Sequence, residues 1–361
     1  MSCDTKEENK TNQSENLTHT LKVVGSKNFE LDSMTPTTTS CIAFLEATNQ
    51  LVFINNKDNS IRIFDYKSGQ QTKKITFQKE GDNGVILEAF HYHNTDSIFI
   101  HSRTGHVVLA NDKGEIKNRI KVAGQTELGI LASTICQMVW KEDKLYLLGT
   151  KFSHSYSPFV EVSFTNKTVN QNDFFMVSEN YKNGHWGGMN FDFFCTSYNP
   201  ATQKWVISFP VDEFLYYTDL EKNTEKAKAK SIYFDTIPPP YQNIEEANKD
   251  IAYLKKYLVS PIYYMVYYNP YNGYIYRVAE RGIDEKEINL EDLSKSKKRP
   301  QSMIVLNEKK EQILEQELPE NFYNLYSYFF TKEGLHIARK ELENEDILTF
   351  DILKIENLLS K

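Results

Sequence analysis

The sequence predicts an all-β fold, a six-bladed β-propeller closed by an N-terminal strand, with one helical insertion between blades four and five. Three observations lead there. A phrase of four short alternating strands joined by polar turns recurs six times, at about 45 residues per copy where nothing is inserted. The sixth copy runs into the end of the chain after three strands, and a spare strand-length segment precedes the first copy.

The 361 residues include 22 Tyr and 22 Phe, interleaved with Val and Ile and bounded by Asn, Asp, Gly and Lys. That is the signature of strands and turns. The third strand of each copy opens the clearest phrase: SIRIFDYKSG from Ser60, GHVVLANDKG from Gly105, PFVEVSFTNK from Pro158, EFLYYTDLEK from Glu213, QSMIVLNEKK from Gln301 and DILTFDILKI from Asp346. Two strand runs precede each, as in CIAFLEATN then QLVFINN, CQMVWKED then KLYLLGT, or YYMVYYNPYN then YIYRVAE. A fourth run follows five of them: KKITFQ, KNRIKVA, QNDFFMV, AKSIYF and QILEQEL. A closed ring must supply the strand the last blade lacks. LKVVGSKNFEL, residues 21–31, is expected to pair beside Ile347 to Ile355 and so leave no open sheet edge.

In such a blade the connections between second and third strands and between successive blades emerge on one face, and the remaining turns on the other. Here the first-to-second turns are short, as in EATN, HNTD, KED, NPAT and NPYN. Length accumulates on the opposite face, at 79–87, 123–134, 150–158, 177–190, 235–261 and 281–300. Long loops on a rigid scaffold are where binding and catalysis concentrate. Within the insertion 235–261, Pro238, Pro239 and Pro240 forbid regular structure. Beyond them Ile244, Ala247, Ile251, Leu254 and Leu258 recur at helical spacing. Asn243 is the expected N-cap, Glu245 and Glu246 suit the first turn and Lys255 and Lys256 the last. A single amphipathic helix is expected, covering the channel mouth or docking a partner.

The cluster NGHWGGMN, 183–190, lies on that elaborated face. His185 and Trp186, with Tyr181 and Tyr156, would form an aromatic platform for a sugar or peptide; His154 and Arg281 complete the nominated ligand-binding set. The alternative is a tight loop whose Trp packs on a neighbouring blade. His91 and His93 fall on the same side of an innermost strand and, with Glu88, are weak candidates for metal ligands near the channel, against histidines hydrogen-bonded in the core. No cofactor is required by this reading, and a divalent ion is the one alternative. Cys41, Cys136 and Cys195 fall on first strands and read as buried free thiols. No GxSxG elbow, P-loop, HExxH or paired CxxC occurs. Propeller active sites are assembled from distant residues, so an enzyme remains open.

A net charge of -7 and the lack of a basic stripe argue against a general nucleic acid or anionic membrane binder. KSKKR, 295–299, sits beside acidic DEKE and LED and reads as a solvated loop. Residues 1–19 form a polar leader with no apolar periodicity, expected to be disordered, and 20–361 a single propeller domain. Cys3 followed by this tether resembles the start of a mature bacterial lipoprotein lipidated at its cysteine. Lys6, Glu7 and Glu8 resemble the surface-display signal of some Gram-negative lipoproteins; the alternative is an incidental cysteine. On six blades, the leader at Cys3 and the aromatic-rich strands, the chain resembles a family of six-bladed propeller lipoproteins of Gram-negative bacteria, classed as a domain of unknown function and TolB-like in architecture. The resemblance spans Leu21 to the C-terminus. It implies the fold and a place in the cell envelope, at the outer membrane or cell surface, and supplies no catalytic residue. The expectation is therefore a noncatalytic, lipid-anchored binding module that offers its long-loop face to a protein, peptide or glycan outside the cytoplasm. The runner-up is a hydrolase or lactonase at the channel mouth, with or without a metal; a structural subunit of an envelope complex is the third possibility.

Overall fold

The computed structural model describes residues 18–358 apart from 127–128, 151–158, 173, 175–177, 183, 187–190, 192–193, 222, 235, 248–251 and 293–294. Six antiparallel sheets form the six blades, and five of them follow chain order from the innermost strand outward. The sixth is completed by the N-terminal strand His19–Glu30, which pairs antiparallel with Ile347–Asn357, Leu21 opposite Ile355 and Glu30 opposite Ile347. Middle strands such as Gln50–Asn55 and Ser60–Asp65 are buried along nearly their whole length. Blades pack face to face, so these strands must be apolar on both sides. Outer strands such as Gln71–Thr76 and Thr224–Lys228 are largely exposed and lysine-bearing, which discourages pairing with another chain.

Ring closure rests on an aromatic pin. Phe29 is fully buried and meets the rings of Phe64 and Phe350 edge-on at 5.9 and 5.8 Å, joining blade six to blade one. The Glu30 amide donates to the Gly69 carbonyl at 3.0 Å. Gly69 has φ +76°, and a Cβ there would collide with the Asn28 carbonyl, so the tight YKSG turn needs glycine twice over. Gln316 of blade five grips the start of the closing strand, its amide oxygen accepting from the Leu21 amide and its NH₂ donating to the Leu21 carbonyl, both at 2.9 Å.

Two fully buried arginines fasten loops to the frame. Arg62 donates to Asp32 at 2.6 Å and to Asp58 at 2.5 Å, fixing the entry into blade one. Arg277, on blade five, donates to Ser208 Oγ and to the carbonyls of Ala229, Phe209 and Asp212 at 2.6–3.1 Å, and lies over the Tyr263 ring.

The structure departs from the sequence reading at three places. Blade four's outer strand is Thr224–Lys228 rather than AKSIYF, because the chain reverses directly after Phe214–Thr218. Ser231 and Ile232 turn instead to Glu315, the Ser231 hydroxyl and the Ile232 amide each donating to its carboxylate at 2.6 Å. Blade three's outer strand is Thr168–Gln171, placed earlier than QNDFFMV by the same early reversal. Its innermost strand is split into Gly129–Leu131 and Val139–Lys141, both paired with Lys144–Thr150. Between them a Ser133 to Cys136 bridge lifts the chain away, and Cys136 bridges to Thr196 of blade four. The insertion between blades four and five carries two helical segments, α2 at Ile244–Ala247 and α3 at Ala252–Val259, following α1 at Glu179–Lys182 in the preceding interblade connection. Residues 248–251 lie outside those described. Asn243 Oδ1 accepts from the Glu246 amide at 2.8 Å, the N-cap bond expected there.

Two predictions follow from this frame. Phe29→Ala should destabilise by about 3–5 kcal/mol, whereas Val23→Ala, on an exposed side of the same strand, should cost under about 1 kcal/mol. Urea unfolding midpoints compare them, and equal losses would contradict the aromatic pin. The second concerns acid. Burial pulls His91, His101 and His336 down to about 4. The unfolded chain takes up those protons near pH ~6.5, so stability is full above that value and falls as pH drops toward about 4, by up to about 1.4 kcal/mol per pH unit per histidine. Melting temperatures across that window should decline, and His336→Gln should flatten the decline.

Candidate functional site

The innermost strands surround a channel that opens into a cavity at each end. At the long-loop end a cavity of about 570 Å³ is lined by Thr38, Ser40, Tyr263, Tyr264, Asn324 and Tyr326 among others, with no Asp, Glu, His, Lys or Arg among its described lining residues. The Tyr264 and Tyr326 hydroxyls touch, and their rings meet edge-on at 5.7 Å. Tyr326 is 43% exposed at the rim. Tyr263 is instead locked in place, its hydroxyl accepting from the Ser231 amide at 3.1 Å and its ring carrying Arg277; burial pushes its pKa up to about 12.

At the short-turn end a cavity of about 530 Å³ is walled by aromatic residues, including Phe44, Trp140, Tyr198 and Tyr271, with His91 and His93 beside them. Glu46, the one carboxylate among its described lining residues, sits in the first turn and pairs with Lys332 at 3.1 Å. Between the two ends stand Cys41, Cys136, Cys195 and Tyr328, all buried. The Tyr328 hydroxyl is buried without a hydrogen bond of normal geometry. The nearby Ser197 hydroxyl accepts from the Tyr268 amide at 3.0 Å and keeps its own proton to donate.

The nominated residues land in different places. His185 is exposed, and its backbone exchanges two hydrogen bonds with Tyr241, at 2.9 and 2.7 Å, which joins the 177–190 connection to the insertion. Gly184, at φ +142°, allows this approach, since any Cβ would collide with Pro240. Trp186 and Tyr181 are buried at 3% and 6% in the cluster between blades three and four. The Trp186 Nε1–H donates to the Asn180 carbonyl at 3.1 Å, and the Tyr181 hydroxyl to the Phe191 carbonyl at 2.7 Å. Lys256 of α3 lies 5.1 Å over the indole. The two rings therefore hold the loop down, although the edge of Trp186 still reaches a small cavity of about 240 Å³ beside Pro238, Pro239 and Pro240. Arg281 pairs with Glu317 and lies over Tyr233. Tyr156, His154 and Cys3 lie outside the described residues.

His91 and His93 do share a side, with rings 6.3 Å apart and nearly parallel. Glu88, an odd number of positions away, faces the other side of the strand and lies 3.3 Å from His101. His91 Nδ1–H donates to the Met138 carbonyl at 3.0 Å, which leaves Nε2 as an acceptor. Among the described residues no three His, Cys, Asp or Glu side chains gather in a metal-binding group. The tyrosines of both mouths escaped the sequence reading. Their signal is the density of Tyr in YYMVYYNPYN and YSYFF, on innermost strands where alternate residues face the channel.

The thiols gather more closely than separate blades led us to expect. Contact with Cys136, then burial, raises the Cys195 pKa, and burial pushes Cys41 up to about 12. Cys195 Sγ also donates to the Tyr264 carbonyl at 3.0 Å. Thiolates are the reactive form, so in the native protein Cys41, Cys136 and Cys195 should resist iodoacetamide and become labelled in denaturant. Peptide mass measurement checks this, and rapid native labelling would contradict the buried neck.

Comparison with solved structures places the chain beside a DUF4221 protein from Bacteroides vulgatus, with TM-score 0.80 and 23% identity over 95% of this chain and 100% of that one. A candidate exported protein from Bacteroides fragilis superposes with TM-score 0.58 and 14% identity, over 96% and 98% of the two chains. Regucalcin, a calcium-binding protein from Agrobacterium tumefaciens, gives 0.50 and 10% over 91% and 93%. At these identities the likeness shows the fold alone. Comparison with curated proteins finds no match. The family model of a domain of unknown function, DUF4221, matches residues 20–345, and the chain belongs to that family.

Proposed function

We propose that this propeller is an extracytoplasmic binding module, held to a membrane by a lipid at Cys3, that takes a protein, peptide or glycan at the long-loop mouth of its channel. The observation that carries the reading is the cavity of about 570 Å³ around Tyr263, Tyr264 and Tyr326. Its volume lies within the ~300–1,000 Å³ of small-ligand sites. Its lining offers aromatic faces, hydroxyls and the Asn324 amide, which suit reversible recognition of an uncharged, partly apolar group. General acid–base hydrolysis calls for a titratable side chain within reach of the reacting bond, and the described lining supplies thiols and phenols whose pKa values are raised where a shift is resolved. That weighs against hydrolysis at this mouth of the channel.

The location is supported by the leader at Cys3, which resembles a lipoprotein tether, and by the description of the Bacteroides fragilis neighbour as a candidate exported protein. Among the described residues no helix is long and apolar enough to cross a membrane. A bacterial lipoprotein carries several acyl chains, and more than one chain is what stable anchoring needs.

A thermal shift screen of residues 20–361 against glycans, peptides and divalent metals with chelator controls tests the reading. A ligand at 100 times its Kd adds about 2.7 kcal/mol, enough to raise Tm measurably. The expected result is a glycan or peptide shift lost in Tyr326→Ala, whose exposed ring can be removed without a core cavity. A chelator-reversible metal shift that survives Tyr326→Ala would favour the hydrolase.

A further inference from the structure

The opposite end of the channel carries features that the long-loop reading does not use. Three of its rings are fixed from behind by other rings. Phe44 stacks on Phe329 at 5.7 Å and 22°, Trp140 on Phe99 at 4.4 Å and 18°, and Tyr198 leans on Trp205 at 4.7 Å. Their orientation is settled before any ligand arrives, which lowers the ordering cost of binding. The turns that frame this mouth are short, so no long loop has to close over it.

The polar atoms are mixed in kind and few. His91 presents Nε2 as an acceptor because Nδ1–H is spent on the Met138 carbonyl. Gln137 brings an amide, donor and acceptor together, to the same wall. At the inner end Tyr328, a side chain 3% exposed, forms part of the cavity wall, and its hydroxyl is buried just behind that wall with no hydrogen bond of normal geometry. A buried hydroxyl in that condition is a standing cost that a ligand atom would relieve. Charge is nearly absent: no Lys, Arg or Asp stands among the described lining residues, and Glu46 at the rim is answered by Lys332.

We propose that the short-turn mouth is a second binding site, separate from the long-loop one, and that it takes a neutral sugar ring. An ionised ligand would lose hydration there with no opposite charge to meet it. A purely apolar ligand would leave Tyr328, Gln137 and His91 unanswered. A neutral sugar satisfies both demands, because its C–H faces lie against aromatic rings while each edge hydroxyl both donates and accepts. His91 suits this role over a wide range, since burial keeps its imidazole neutral down to about pH 4.

The test is direct titration with a panel of neutral mono- and disaccharides, followed by calorimetry and by the fluorescence of Trp140, with glucuronic acid as the charged counterpart. At least one neutral sugar should bind and glucuronic acid should not. Tyr328→Phe should weaken binding by about 10-fold while leaving Tm nearly unchanged, because the hydroxyl it removes makes no hydrogen bond of normal geometry in the free protein. Gln137→Ala should weaken binding likewise, and Tyr326→Ala, at the opposite mouth, should leave it intact. The proposal is overturned if no neutral sugar binds, if glucuronic acid binds as well, or if Tyr328→Phe lowers Tm without affecting affinity. Loss of sugar binding in Tyr326→Ala alone would move the sugar to the long-loop mouth and also overturn it.

Discussion

A ring of blades is stable only if its two ends meet, and here they meet through one strand. His19–Glu30 must leave the start of the chain and pair along Ile347–Asn357 at its end. That pairing is non-local in the extreme, so its loop-closure entropy is lost before any contact compensates it. Phe29 accounts for much of the return. It fills a socket shared by Phe64, Phe329 and Phe350, from both blades that the strand joins. Without the strand, blade six would present an open edge and the blade one interface would lose its central ring. Gln316 extends the same device into blade five, so the closing strand ties together three blades rather than two.

Once the ring is closed, its buried polar groups hold the loops. Arg62 secures residues 32 and 58, Arg277 gathers the carbonyls of Phe209, Asp212 and Ala229, and Glu315 receives Ser231, Ser302 and the Ile232 amide. Each would be a severe desolvation cost if left alone. Each is instead shared with a neighbouring segment, so the cost is offset by fixing a connection that has few apolar residues to bury. Burial raises the Glu315 pKa, and its three hydrogen bonds oppose that shift. The long-loop face is thus anchored at its roots, although the loops are long.

Strand periodicity made the blades legible in the sequence, because a strand buried on both faces leaves an apolar run such as QLVFIN or SIRIFD that no loop resembles. The closing strand was legible for a different reason, the count of strands in the last copy. What periodicity could not set was where each hairpin turns. AKSIYF reads as a better strand than TEKAK, yet the chain reverses early and an outer strand tolerates exposed lysines. The site was less legible still. Trp186 stood out by rarity and glycine context, and Gly184, which would admit a ligand, admits Pro240 instead. Glu88 stands an odd number of positions from His91 and His93, so an ideal strand already puts it on the opposite face, and it lies beside His101 instead. Which side chains six strands bring together depends on how the strands sit against one another, which a single sequence does not display.

The two mouths of the channel are alike in chemistry and unlike in construction. Both are rich in aromatic rings and poor in charge, and a neck of three cysteines and Tyr328 separates them, where the inner strands converge and side chains must be small or flat. At the long-loop mouth the described walls mix strand residues, Tyr263, Tyr264, Asn324 and Tyr326, with residues of the connections such as Thr38 and Pro210. At the short-turn mouth the rings are set by strand register and by rings stacked behind them, and register in a blade buried on both faces cannot slip by one residue without exposing its core. The difference follows from where the fold puts its long connections, so the two ends of one axis are alike in lining and differ in how their walls are built.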